Sequence, residues 1–151
     1  MPDLAAHFEE VEFDVGLVAM RWFQTLFTGF HAMPLRTVGR LWDIWLMERS
    51  FKIFFRAALA VLQMSSFFLL HASFEECFTY LEAIPEPAML DHDVLVPQAL
   101  LHKVTNSQLL DLERRVRAED PDLALAPEAH ELFTRREGPL HVVAPRRASP
   151  P

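Results

Sequence analysis

Apolar residues recur at helical spacing through most of the first 118 positions, and nowhere do they alternate with polar ones long enough for a strand. The pattern predicts an all-α chain with almost no sheet. Asp3 is placed to cap a short helix over residues 4–10, with Leu4 and Phe8 on one side. A cluster of acids follows at Glu9, Glu10, Glu12 and Asp14. Asp14 then stands where an N-cap would open a helix over about residues 15–27, its charge suited to the positive helix end. Val15, Val18, Ala19, Trp22, Phe23 and Leu26 share one face of that helix. Thr28 and Gly29 are expected to end it, with Gly29 in the left-handed cap conformation.

Pro34 suits the first position of a third helix, where its missing N–H costs nothing. Leu35, Val38, Leu41, Trp42, Trp45 and Leu46 form the expected buried stripe, with Arg36, Arg40 and Asp43 opposite. Arg40 and Asp43 are three apart and can pair across one turn. Ser50 is the expected cap of a fourth helix over residues 51–70. Its apolar residues nearly encircle it, leaving Lys52, Arg56 and Gln63 as a polar strip, so it belongs at the centre of the fold. Ala57, Ala58 and Ala60 would let neighbours approach closely. The sequence from Trp22 to Met64 thus holds all three tryptophans and the densest aromatic content, and the rest is arranged around it.

Ser73 and Glu76 have the spacing of a capping box, opening a helix whose inner face is Phe74, Cys77, Phe78 and Leu81, and Pro85 and Pro87 close it. Asp91 or Asp93 caps the next segment, in which Leu100, Leu101 and Val104 are the expected apolar face and Pro97 obscures the start. Asn106 or Ser107 precedes a last helix over about residues 108–118, with Leu109, Leu112 and Val116 inward and Glu113 and Arg117 paired. From Pro121 the composition changes: six of the eleven prolines lie there and no periodicity lasts. One weak helix over residues 127–136 interrupts what otherwise reads as a Pro-rich, disordered tail. The expected organisation is therefore a helical domain over residues 1–118 and a tail over residues 119–151.

Composition narrows the function classes. The 151 residues carry a formal charge of −7, which argues against a phosphate backbone as partner. The single cysteine, Cys77, falls on an apolar helix face and reads as a buried thiol. Residues 1–14 lack the basic and apolar regions of a signal peptide. The most apolar run, residues 53–70, is interrupted by Arg56, Gln63, Ser65 and Ser66, so no transmembrane segment is expected. The four glycines are not spaced as a phosphate loop, and the seven histidines form no metal-ligand pair. His31 and His71 fall at helix ends, where capping or solvent-facing roles are expected. No nucleophile elbow occurs. No cofactor, metal or self-contained catalytic site is expected.

The central motifs resemble a known family. Trp22-Phe23-Gln24-Thr25-Leu26-Phe27, a loop into Met33-Pro34-Leu35, then Arg40-Leu41-Trp42-Asp43 and an apolar helix are similar to the second half of a TBC domain, the catalytic domain of Rab GTPase-activating proteins. The opening residues and the segment 73–85 also resemble it, so the likeness covers about residues 2–85 and continues weakly to Arg115. The resemblance implies the C-terminal subdomain of a TBC domain, an irregular orthogonal bundle of helices. It implies a Rab-family small GTPase as partner and a cytoplasmic place peripheral to endomembranes. Trp22, Phe23, Leu26, Phe27, Pro34, Arg40, Trp42 and Asp43 would be the family's structural motif. The family supplies an arginine and a glutamine to the GTPase, the first to neutralise charge on the transferring phosphate and the second to orient water. It carries them in I-x-x-D-x-x-R and Y-x-Q motifs in its first half. Neither motif occurs in these residues: Tyr80, the one tyrosine, is followed by Leu81 and Glu82. Glu48-Arg49 also departs from the family's acid followed by glycine, which is expected to alter the turn there. Three readings remain at this point: a Rab-activating domain with its N-terminal half missing here, a catalytically inactive module that binds a GTPase or adaptor, and a helical interaction protein with no GTPase partner.

Overall fold

The structure is a computed structural model that describes residues 1–119. The expected tail and the helix over residues 127–136 lie outside these, as does the Arg117 side chain. The chain divides into two compact units, Met1–Glu113 and Arg114–Pro151, and the first is the subject below. Among the described residues there is no strand, which bears out the all-α expectation.

The helices are α1 (Pro2–Glu10), α2 (Gly16–Gln24), α3 (Leu35–Glu48), α4 (Lys52–Met64), α5 (Ser66–Leu69), α6 (Phe74–Glu82), α7 (His92–Leu101) and α8 (Asn106–Glu119), with a 3₁₀ turn at Pro87–Leu90. Helix α4 is the centre: Ile53, Phe54, Ala57, Ala60 and Val61 are all essentially inaccessible. It packs most extensively on α7, and α3 packs on both. The alanines explain this, because without long side chains two helix backbones can draw close. Ala99 of α7 is equally buried.

Several expected elements are corrected. The fourth helix is not continuous to residue 70. It stops at Met64 and restarts at Ser66 after one residue, Ser65. Its N-cap position is Phe51 rather than Ser50, although the Ser50 Oγ, which donates to Asn106 Oδ1 at 2.7 Å, also accepts the Lys52 N–H at 3.4 Å. Pro34 precedes α3 as its N-cap rather than opening it.

The stripe on α3 is also different. Thr37, Val38 and Leu41 are buried, with Ile44 and Trp45 partly so, while Leu35 and Leu46 are 80% and 64% exposed and Trp42 is 37% exposed. At 100° per residue, Leu35, Trp42 and Leu46 form a second apolar stripe, rotated roughly 120° from the buried one. Thr37 is tolerated inside because its hydroxyl donates to the Leu90 carbonyl at 2.7 Å.

Helix α7 buries Leu95 and Ala99, whereas Leu100 and Leu101, the expected face, are exposed. Asp91 starts the helix by accepting the Asp93 N–H at 3.1 Å, so Pro97 sits within it, on its exposed side. Water can there replace the hydrogen bond that proline cannot make. Helix α8 begins two residues before the expected start, and the residue that opens it is Thr105. The Thr105 N–H donates to Gln108 Oε1 at 2.8 Å and the Gln108 N–H returns to Thr105 Oγ1 at 3.2 Å.

The capping box at α6 is as expected: the Ser73 N–H donates to the Glu76 carboxylate at 2.8 Å. This hydrogen bond, with a second from the Ser73 hydroxyl, holds the Glu76 carboxyl below its ordinary pKa. A carboxyl depressed on folding contributes stability that is complete above its unfolded pKa and is lost as pH falls through the folded one. Acid unfolding of the wild type and Glu76→Ala should therefore converge at low pH and separate once the carboxyl is ionised. Parallel curves at all pH would remove this cap as a contributor.

Candidate functional site

The feature that joins the aromatic motifs is the end of α2. Thr25 is the last half-helical residue, and Leu26 follows in the left-handed region at φ 48°. The Phe27 N–H reaches back to the Trp22 carbonyl at 2.7 Å and the Leu26 N–H to the Phe23 carbonyl at 3.2 Å. These two bonds are the 6→1 and 5→2 pair of a Schellman motif, normally built on glycine. Its usual apolar contact is present too, since the Trp22 and Phe27 rings stack at 5.8 Å. Gly29, the expected left-handed cap, has no positive φ, and neither does any other described glycine. A leucine there costs about 1–2 kcal/mol of strain, offset by burial of the aromatic it turns inward.

Helix α1 ends in the same way. Glu12 has φ 54°, Phe13 bonds back to Phe8 at 2.7 Å, and the two rings meet edge to face at 5.0 Å. Both helices thus stop by folding an aromatic from beyond the end onto one in the last turn.

The turn after α2 leaves the Leu26 carbonyl without a helical partner. Trp42 of α3 supplies one, its indole N–H donating to that oxygen at 3.0 Å. Phe27, fully buried with its own φ at 68°, lies between Trp22 and Phe54, whose ring is 6.0 Å away. Phe23 packs on Phe55 at 4.7 Å. The structure therefore brings Trp22, Phe23, Leu26, Phe27 and Trp42 together at one joint between α2, α3 and α4. Arg40 and Asp43 pair at 3.2 Å and are both more than half exposed, which makes the pair worth about 0–1 kcal/mol. They do not enter the joint, and Pro34 stands at the start of α3. Trp42→Phe keeps most of the ring area but orphans the Leu26 carbonyl. It should cost about 1 kcal/mol, read as a shift in the urea midpoint.

Arg49 occupies the C-cap of α3 at φ 48°. The turn has the conformation a glycine would take, so the arginine accepts strain rather than redirecting the chain. Arg49→Gly should stabilise the protein by about 0.5–1 kcal/mol, the relief of strain exceeding the added freedom of the unfolded chain. A lower melting temperature would contradict this.

Cys77 is fully buried, and burial pushes its thiol pKa up, the opposite of an activated nucleophile. Arg56 is mostly buried and structural, its guanidinium donating to the Val104 carbonyl at 3.2 Å and lying 3.5 Å from Glu48. His71 hydrogen-bonds the Phe67 carbonyl at 3.0 Å. Asp91, His92 and Asp93 place three ligand-type atoms within 4.8 Å of one another, but Asp91 is already engaged in opening α7. What the joint presents outward is the stripe Leu35, Gly39, Trp42 and Leu46, beside the Arg40–Asp43 pair. Gly39 faces open space, so the stripe is flat at its middle.

Residues 1–70 match the family model for the Rab-GTPase-TBC domain. This segment belongs to that family. The match contains α1 to α5 and hence the whole aromatic joint. Among similar proteins is one named Rab GTPase-activating protein eat-17, from Caenorhabditis elegans, 34% identical over 120 residues, which are 79% of this chain and 12% of that protein. The human TBC domain-containing protein kinase-like protein is 36% identical over 85 residues, 56% of this chain and 9% of its own length. The human ecotropic viral integration site 5 protein homolog is 30% identical over 115 residues, 76% of this chain and 14% of its own length. The chain thus spans a small part of each relative, and the two likenesses of 115 and 120 residues run beyond the TBC segment matched by the family model. No described helix is long and apolar enough to cross a membrane.

Proposed function

We propose that this chain forms the helical part of a Rab GTPase-activating TBC domain that lies C-terminal to the reactive residues, and that it serves to hold a Rab-family GTPase. The observation that carries the reading is the match of residues 1–70 to the Rab-GTPase-TBC domain. The motifs I-x-x-D-x-x-R and Y-x-Q do not occur in the 151 residues, so the arginine and glutamine would come from a segment outside them. The exposed stripe along α3 is the surface offered to that segment or to the GTPase. Trp22, Phe23, Leu26, Phe27 and Trp42 act here as architecture: they fix the angle between α2 and α3 and so aim the stripe, while Pro34 stands at the start of α3 and Arg40 and Asp43 pair on its exposed side.

The test is single-turnover GTP hydrolysis by a panel of Rab proteins. The chain alone should not accelerate it. Joined to a segment that carries both motifs, it should do so by about 10³-fold or more. Tenfold stimulation by the chain alone would overturn the division of labour. Retained GTPase binding by an inactive joined protein would instead favour a module that docks a GTPase without activating it.

A further inference from the structure

Away from the α2–α3–α4 joint, a groove of about 790 Å³ opens between the end of α4, α5 and α6. Its apolar surface comes from Met64, Phe67, Phe68 and Tyr80. Phe67 is 84% exposed, while Phe68 stacks on Tyr80 at 4.3 Å, which makes one rigid aromatic wall. Its other lining residues include three glutamates, Glu75 and Glu76 in the first turn of α6 and Glu86 beyond its last, and no lysine, arginine or histidine. None of the three pairs with a described lysine or arginine, although the remaining glutamate of α6, Glu82, pairs with Arg21 at 2.9 Å. Glu76 keeps its charge because the Ser73 N–H and hydroxyl both donate to it. Ser65, in the groove wall where α4 and α5 meet, is 1% exposed and its hydroxyl has no hydrogen-bond partner among the described residues.

We propose that this groove receives a short segment of a partner protein with two apolar side chains flanked by lysine or arginine. The apolar anchors lie on Phe67, Phe68 and Tyr80, and the flanking cations meet Glu75 and Glu76 at one end and Glu86 at the other. The charge argument selects this occupant. Apolar surface ringed by carboxylates that have no lysine or arginine partner among the described residues attracts a basic partner and repels an anionic lipid surface. A second copy of a chain with net charge −7 is disfavoured in the same way. The length fits as well. Helix α6 has nine residues, about 13 Å of axis, which matches two to three turns of a docked helix or about four extended residues. The inference is independent of the Rab reading and needs no GTPase to test.

The full chain is titrated into dye-labelled peptides and followed by fluorescence anisotropy. One probe has a leucine and a phenylalanine three residues apart between pairs of arginines, and its control replaces every arginine by glutamate. The basic probe should bind and the acidic one should not, and binding should weaken as salt is raised. Glu75→Lys with Glu86→Lys should reduce affinity by about tenfold or more, and Phe67→Ser should do the same. All three positions are exposed, so circular dichroism should show the fold intact. Equal binding of both probes, or affinity unchanged in the charge-reversed variant, would overturn the proposal. So would self-association that Phe67→Ser abolishes, or binding to phosphatidylserine vesicles in preference to the basic probe.

Discussion

Phe27→Ala should lower the stability of the protein by about 3–5 kcal/mol, among the largest effects of any single truncation. The ring has no accessible surface and touches Trp22, Phe23 and Phe54. Removing it leaves a cavity at the point where α2, α3 and α4 meet. The alanine must also keep a positive φ while the aromatic contact that completed the Schellman turn is gone. A domain of this size has only about 5–15 kcal/mol to lose, so urea unfolding should show a clearly displaced midpoint. Phe23→Ala is the comparison: Phe23 is only partly buried, and its loss should cost less. Equal effects for the two would mean that the joint is not the keystone the geometry makes it.

A second truncation separates the packing of α7 from its sequence pattern. Leu95→Ala should cost about 2–5 kcal/mol, whereas Leu101→Ala should stay within about 0.5 kcal/mol. Leu95 is fully buried in the face that α7 turns to its neighbours, and Leu101 is 72% exposed. Chemical denaturation of both variants under one set of conditions decides the matter. The opposite ranking would place α7 in the register that its final leucines suggest, rotated away from the one observed. The result also bears on how far the fold extends beyond residues 1–70, since α7 lies outside the TBC match.

The functional expectations divide along the same line. The aromatic motifs were visible as residues, and their family likeness followed from order and spacing. How they cooperate was not visible. Trp42 was expected on a buried stripe, yet its use is to present one N–H to the Leu26 carbonyl while its ring remains partly exposed. Nothing local marks Leu26 as a left-handed residue, because the usual marker is glycine and the nearest one, Gly29, does not adopt it. The groove beside α6 was equally hidden. Of the expected inner face, Phe74, Cys77, Phe78 and Leu81, the structure buries Cys77 and Leu81 and half-buries Phe78 but leaves Phe74 40% exposed, and the other face acquires meaning only when Phe67 and Phe68 of α5 are brought opposite.

By itself the amino-acid sequence determined the helical class, the central place of α4, the capping box at Ser73, the buried thiol and the family of the first 70 residues. These depend on periodicity, on side-chain chemistry within one turn, or on ordered motifs, all of which are local. The tertiary structure alone decided which of two apolar stripes on α3 is covered, which face of α7 meets α4, and which residues accept a left-handed backbone. Each of these is a choice between alternatives of similar local energy. Contacts made by residues far apart in the chain supply the difference.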